Sequence, residues 1–356
     1  MHKTVLNTAQ KYAGFEALKD TDFERTMQSI VVPFLNKLRK THRIKTKDGK
    51  EIYCETFVPE DVSAGADEKK ECRGLVVVFH GFCEFSHKYD EFSYYLLKQG
   101  YALCFFDQYG HGFSHRDCKD LSKVYIRRFQ TYVDCAYEVV EQVARPLAAE
   151  LGKSRPKKLP LFLFGHSMGG AVGALFLAQY PGVFTAAVFS APMFGLYVSG
   201  LPKKGTHLYI KLARFFGHEK SYIPGHGTFD GSCSFPEKKK LTCSENRFFY
   251  HFHQRKAEKY FQTWGATYAW LDESFNVIKK ILKKQTMAAI TDPVLLFQAE
   301  KDDTVPLEGH IRFAASVPSA RLAVCPGANH ELYNGTDDTL RRWYPELFKF
   351  YDEFSK

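Results

Sequence analysis

Compact apolar runs alternate along the chain with longer stretches in which apolar residues recur every three or four positions. Gly74 to His80 (GLVVVFH), Tyr101 to Phe106 (YALCFF), Leu159 to Phe164 and Thr185 to Ser190 are almost continuously apolar. That is the pattern of strands buried on both faces of a parallel sheet. Between them, Lys88 to Gln99, Tyr125 to Leu151 and Ala171 to Tyr180 have helical spacing, and Arg43 to Lys47 with Glu51 to Val58 predict a hairpin pivoting on Asp48-Gly49. Repeated strand and helix predict an α/β fold, a mostly parallel central sheet with helices on both faces.

The alternation stops near Phe194. From there to about Thr291, helix-like pieces at Thr206 to Phe216, Arg247 to Thr263 and Ala266 to Leu282 surround a Gly, Pro and Ser-rich stretch, Ile223 to Pro236. Strand signals resume at Pro293 to Gln298 and Ala320 to Cys325, followed by a helix predicted over Asp337 to Phe354. The core is therefore expected in two pieces, residues 41–195 and 291–356, with a helical cap, residues 196–290, inserted between them. Residues 1–40 read as a helical arm. Phe23, Met27, Ile30, Val31, Phe34, Leu35 and Leu38 form its apolar face, and Pro33 is expected to break it. Its expected role is packing on the core, with membrane contact as the alternative.

A chain of 356 residues, 45% hydrophobic, suffices for one α/β core of about 250 residues plus an insertion. No apolar run approaches the roughly 18 to 20 residues of a membrane span. The start, MHKTVLNTAQKYAG, lacks the features of a secretory signal, so a cytoplasmic protein is expected. Nine scattered cysteines show neither metal-ligand spacing nor a disulfide framework and read as reduced thiols. The net charge of +9 is uneven: Lys203, Lys204, Lys211, Arg214 and Lys220, then Lys238, Lys239, Lys240, Arg247, Arg255, Lys256 and Lys259, outnumber the acids among them. Such a surface suits phosphate-bearing lipids or peripheral contact with an anionic membrane face; a solvated, solubilising face is the competing reading. No nucleic-acid motif accompanies the charge, so nucleic acid is not an expected partner.

Candidate chemistry centres on Gly165-His-Ser-Met-Gly169, the pattern Gly-x-Ser-x-Gly directly behind an apolar run. Ser167 would stand at a sharp turn between strand and helix, where Gly165 and Gly169 lack the Cβ atoms that would collide. The competing reading is an ordinary strand-to-helix turn. A serine hydroxyl needs a base, and the base a carboxylate to orient it. Asp302, in the turn after Pro293 to Gln298, is the candidate acid, with Asp303 the alternative; His330, in Pro326 to Leu332, is the candidate base. The order Ser167, Asp302, His330 is that of the α/β-hydrolase arrangement. Backbone N–H groups of Phe82 and Met168 are the candidate oxyanion donors, against the reading of His80-Gly-Phe82 as a plain turn. His80, His111 and His166 read as loop-fixing residues. His251 and His253 lack further nearby ligands for a metal, and no dinucleotide fingerprint occurs, so no cofactor is implied.

The segments His80-Gly-Phe-Cys-Glu84, Asp107-Gln-Tyr-Gly-His-Gly-Phe-Ser114, Gly165-His-Ser-Met-Gly-Gly170, Ala191-Pro-Met-Phe-Gly195, Asp302 and Gly327-Ala-Asn-His330 together resemble one branch of the α/β-hydrolases. That branch holds the monoglyceride lipases and bacterial lysophospholipases, serine aminopeptidase-like hydrolases. Thr263 to Ser274 (TWGATYAWLDES) is similar to the lysophospholipases in particular. The resemblance covers nearly all the chain after residue 40. It implies Ser167 as nucleophile, His330 as base, Asp302 as orienting acid, and Phe82 and Met168 as oxyanion donors. Two departures bear on acyl-chain length and head group: Phe82 stands where the branch often has a small residue, and residues 218–240 match nothing in it.

The expected activity is cleavage of carboxylic esters of single-chain lipids, lysophospholipids or monoacylglycerols, through an acyl-enzyme. Small esters, thioesters or N-terminal prolyl peptides are the alternative substrates; the absence of a Gly-Gly-Pro-Gly loop weighs against the peptides. A non-catalytic binding protein on a hydrolase scaffold is the third reading, and the presence of every candidate group weighs against it. The aromatics Phe248, Phe249, Tyr250, Phe252, Tyr260, Phe261, Trp264, Tyr268 and Trp270 suit a lid over an acyl chain, although helical spacing makes core packing the better explanation for more than half of them.

Overall fold

The central strands are apolar throughout because helices cover both sides of them. The structure is a computed structural model that describes residues 2–60, 71–153, 155–198, 205–235 and 241–355. Among these, nine strands make one sheet: β1 (His2–Val5), β2 (Lys40–Lys45), β3 (Glu51–Phe57), β4 (Gly74–Phe79), β5 (Tyr101–Phe106), β7 (Leu161–His166), β8 (Ala186–Ser190), β10 (Val294–Ala299) and β11 (Ala320–Cys325). Their order is β1-β11-β10-β8-β7-β4-β5-β3-β2, and all neighbours are parallel except the pairs β2/β3 and β3/β5. The short strands β6 (Lys123–Val124) and β9 (Gly265–Ala266) pair separately. In β4, Leu75, Val77 and Phe79 enter one apolar cluster and Val76 and Val78 the other, so strand alternation divides the core into a layer on each face. The hairpin joining β2 and β3 is present, with Gly49 at φ +75° in its turn.

The amino-terminal arm differs from its sequence reading in three respects. It opens with β1, which runs parallel to β11 from His2↔Arg321 to Val5↔Val324. All four β1 side chains are exposed, so backbone pairing defines the strand without an apolar pattern. Pro33 does not break the helical arm. A π turn over Met27–Val31 lets the Val32 N–H bond to Met27 O, and Val32–Leu38 continues beyond it. The wider turn changes the bonding register just where proline lacks a donor. The same device recurs before Pro146, where Val140–Ala144 forms a π turn. Finally, Ile30 is half exposed and lies off the apolar face, whereas Phe23, Met27, Val31 and Leu35, spaced every fourth residue, are buried.

Between β8 and β10 lie the helices Thr206–Phe215, Glu245–Ala257, Tyr268–Ile281 and Lys284–Ala288, with a short turn of helix at Lys259–Phe261. Trp270, Leu271, Val277 and Ile281 join the apolar layer that contains the helix Met168–Gln179, tying this segment to the sheet. Helix Glu245–Ala257 is held to the arm by Arg247, whose fully buried guanidinium pairs with Asp20, Glu91 and Asp337. The lysines at 203, 204 and 238–240 lie outside the described residues.

Candidate active site

Strand β7 ends at His166, and the helix Met168–Gln179 starts two residues later. Only Ser167 separates them, at φ +50° and ψ −116°, a conformation that costs a side-chain-bearing residue about 1 to 3 kcal/mol. The surrounding chain dictates it. A Cβ on Gly169 would run into the carbonyl of Phe79, and one on Gly165 would lie 2.9 Å from Gly169 O. Ser167 N–H donates to Ser190 O at 3.1 Å, and Met193 N–H donates to Ser167 O at 2.8 Å. Among the described residues, the non-glycine residues with positive φ are Cys83, Ser167 and Ala191, which follow β4, β7 and β8. Backbone strain is thus gathered at one edge of the sheet.

The turn after β10 and the loop after β11 reach that same edge. Asp302 Oδ2 accepts from His330 Nδ1 at 2.7 Å, and His330 Nε2 lies 2.9 Å from Ser167 Oγ. Asp302 Oδ1 accepts the N–H groups of Thr304 and Val305 at 2.8 and 2.9 Å, which aims its other oxygen at the imidazole. Asp303 is exposed. Burial opposes ionisation of both Asp302 and His330. Their mutual attraction and hydrogen bonding outweigh it, holding the Asp302 carboxyl below its ordinary value and the imidazole above its own.

Phe82 and Met168 flank Ser167 from the loop after β4 and from the first position of the helix. Among the described residues no protein acceptor takes either backbone N–H. The loop bearing Phe82 is braced on every side. Glu84 accepts the Gly81 N–H at 2.5 Å, His111 Nε2 accepts the Cys83 N–H at 3.2 Å, and Arg255 donates to Cys83 O at 2.7 Å. His80 Nε2 accepts the Gln108 N–H at 2.8 Å. Burial holds His80 down at about 4 and His111 well below its ordinary value, so both are neutral acceptors fixing loops.

Sequence reasoning gave Glu84 no role, yet it is the hub of the site's rear wall. Its carboxylate accepts from Lys88 at 2.9 Å, Tyr89 at 2.6 Å, Tyr333 at 2.8 Å and His166 at 3.2 Å, and Lys88 reaches on to Glu331 at 2.5 Å. Burial resists this charge, but Lys88 and His166 outweigh it and hold Glu84 well below its usual range. The network joins the loop of Phe82 to that of His330. The signal available in the sequence was the i, i+4 pair Glu84 and Lys88 just past the His-Gly motif.

Ser167 and His330 open into a cavity of about 420 Å³. Phe82, Leu241, Phe248, Phe252 and Trp264 supply apolar wall; Glu84, Lys88, Arg255 and Glu331 supply charge. The segment between β8 and β10 contributes much of the apolar side. A mostly parallel sheet flanked by helices, with a serine elbow after β7 and an acid and a histidine after β10 and β11, defines an α/β-hydrolase. Residues 70–337 match the Hydrolase_4 family, described as serine aminopeptidase S33, and the chain belongs to that family. It is 30% identical to lysophospholipase L2 of Escherichia coli over 269 residues, 72% of this chain and 74% of that protein. It is 27% identical to the probable lysophospholipase L2 of Haemophilus influenzae, over 76% of this chain and 80% of that one. A soluble variant of Saccharomyces cerevisiae monoglyceride lipase, solved with a substrate analog, shares the fold with a TM-score of 0.69 at 19% identity, covering 90% of this chain and 96% of that one.

Proposed function

We propose that this chain is a serine hydrolase that cleaves the carboxylic ester of single-chain lipids, lysophospholipids or monoacylglycerols, through an acyl-enzyme. The observation that carries the reading is the continuous relay Asp302–His330–Ser167 at 2.7 and 2.9 Å, opening into a part-aromatic cavity. His330 takes the Ser167 proton as Oγ attacks the acyl carbon, and Asp302 stabilises the imidazolium formed. The oxyanion is received by the N–H groups of Phe82 and Met168. His330 then protonates the departing glycerol oxygen, and water, activated by the same imidazole, releases the fatty acid. The names of the two bacterial relatives support the lipid substrate.

The reading extends to where the substrate is met. On the helix Thr206–Phe215 and just after it, Leu208, Leu212, Phe215 and Phe216 are exposed, at 64%, 46%, 83% and 71%, with Lys211 among them. An apolar and cationic face of this kind suits peripheral insertion into an anionic lipid surface. Among the described residues no helix is long and apolar enough to cross a membrane. The residues inserted between the two core pieces act in this reading as the cap over the acyl chain.

Ser167→Ala, compared with the parent chain on palmitoylglycerol and a palmitoyl lysophospholipid, is expected to lose about 10⁴- to 10⁶-fold in kcat with its circular dichroism unchanged. A fluorophosphonate should label the parent at Ser167 alone. A rate optimum at acetyl or butyryl esters would move the substrate to small esters, and persistent turnover by pure Ser167→Ala would refute the nucleophile.

A further inference from the structure

The charged side chains in the cavity wall are not partnered alike. Lys88 sits between two carboxylates, Glu84 at 2.9 Å and Glu331 at 2.5 Å. Arg255 is also buried, only 9% exposed, but among the described residues its guanidinium meets no carboxylate. It donates to the backbone carbonyls of Phe261 at 3.0 Å, Thr263, and Cys83 at 2.7 Å, and lies 5.3 Å and 5.4 Å from the ring centres of Phe85 and Trp264. None of these partners carries a negative charge, and the bonds leave part of the donor set unused. Burial outweighs the pull of the more distant Glu84 and Glu331 and lowers the Arg255 pKa, so among the described residues no carboxylate in contact offsets this cation.

Position makes the missing anion part of a substrate. Arg255 lines the same cavity as Ser167 and is anchored on the carbonyl of Cys83, the residue after Phe82. A guanidinium is suited to phosphate oxygens, to which it offers paired donors. Building on the ester-hydrolase reading above, we propose that Arg255 receives the phosphate of a lysophospholipid head group while the acyl ester lies at Ser167, making it the residue that sets head-group specificity. The neutral glycerol of a monoacylglycerol gives this cation nothing to pair with, so the cavity favours phosphate-bearing single-chain lipids over neutral ones.

The purified full chain is tested on palmitoyl lysophosphatidylethanolamine and palmitoylglycerol, presented in the same neutral detergent micelles. The parent should favour the phospholipid by about 10- to 100-fold in kcat/KM, the worth of one charge-assisted contact. Arg255→Gln should bring that ratio toward one whatever its absolute rate, and Arg255→Lys should restore part of it. A purely structural role would lower both substrates together and leave the ratio standing. Should Arg255→Gln fail to fold, competition on the parent chain decides. Glycerophosphate should inhibit palmitoylglycerol hydrolysis competitively where equal glycerol does not. Turnover of palmitoylglycerol with a parent ratio at or below one, or with no inhibition by glycerophosphate, overturns the role of Arg255 alone. Equal inhibition by inorganic phosphate overturns the head-group assignment in favour of a free-anion site. Failure to hydrolyse either lipid overturns the ester-hydrolase reading and this inference with it.

Discussion

Arg247 grips both carboxylate oxygens of Glu91, through Nε at 2.9 Å and a terminal nitrogen at 2.8 Å, with none of its side chain exposed. The other terminal nitrogen pairs with Asp20 and Asp337, and Phe23 lies under the guanidinium at 4.6 Å. One side chain thus joins the arm, helix Asp90–Lys98, helix Glu245–Ala257 and the start of helix Asp337–Asp352. Removing it would leave the Glu91 carboxylate buried without its cation. Arg247→Met should therefore cost about 3 to 5 kcal/mol in urea unfolding. The double variant with Glu91→Gln should cost less than the sum of the two single changes. A loss below about 1 kcal/mol would mean the network is dispensable.

Asp302 and Asp303 adjoin in sequence but differ in every contact that matters. Asp302→Asn should lower kcat by about 10³- to 10⁴-fold with KM and fold little changed, because the amide cannot hold the imidazole in its required tautomer. Asp303→Asn, at an exposed position, should stay within about twofold. Steady-state kinetics of the two variants side by side check this, and equal losses would exclude the proposed relay.

The pH profile should carry the signature of His330. Burial disfavours its protonation, but the charge and hydrogen bond of Asp302 prevail and raise its pKa. Catalysis needs the neutral ring, so kcat/KM should rise with pH through a midpoint above the ordinary histidine value of about 6.5. In Asp302→Asn the raising charge is gone while burial stays, so the residual activity should reach its midpoint at lower pH. An unmoved midpoint would assign the titration to another group.

Acid should unfold this protein early. Burial holds His80, His251 and His310 at about 4 and His111 well below its ordinary value. The folded-state pKa of each is depressed, so the unfolded chain binds protons first as pH falls. The stability these neutral rings contribute is complete above about 6.5 and is lost as pH drops toward 4. Each of the three held at about 4 would cost on the order of 3 kcal/mol by the end of that window. Denaturant midpoints measured from pH 7 to 4.5 should fall steeply, and His251→Asn should flatten the fall. A flat profile would contradict the buried neutral state of these rings.

Local pattern was enough wherever burial of apolar residues was the message. β4, β5 and β11 appear within a residue of where the apolar runs predict them, and the serine elbow stands behind β7, where Gly165 and Gly169 lack the Cβ atoms that would collide in that tight turn. The alternation that marks an α/β sheet is equally local, since a strand covered on both faces must be apolar at every position. Tertiary structure decided what hydrophobic periodicity does not encode. Exposed β1 is specified by hydrogen bonds to β11, not by its own side chains; Pro33 is absorbed by a π turn; and Ile30 leaves the buried face. Buried charge was the least legible of all, because Glu84, Arg247 and Arg255 each need at least one partner between 156 and 249 residues away, which only folding brings to them. Sequence position already favoured Asp302 over Asp303; the folded loops add the contact, setting the Asp302 carboxylate 2.7 Å from His330 Nδ1.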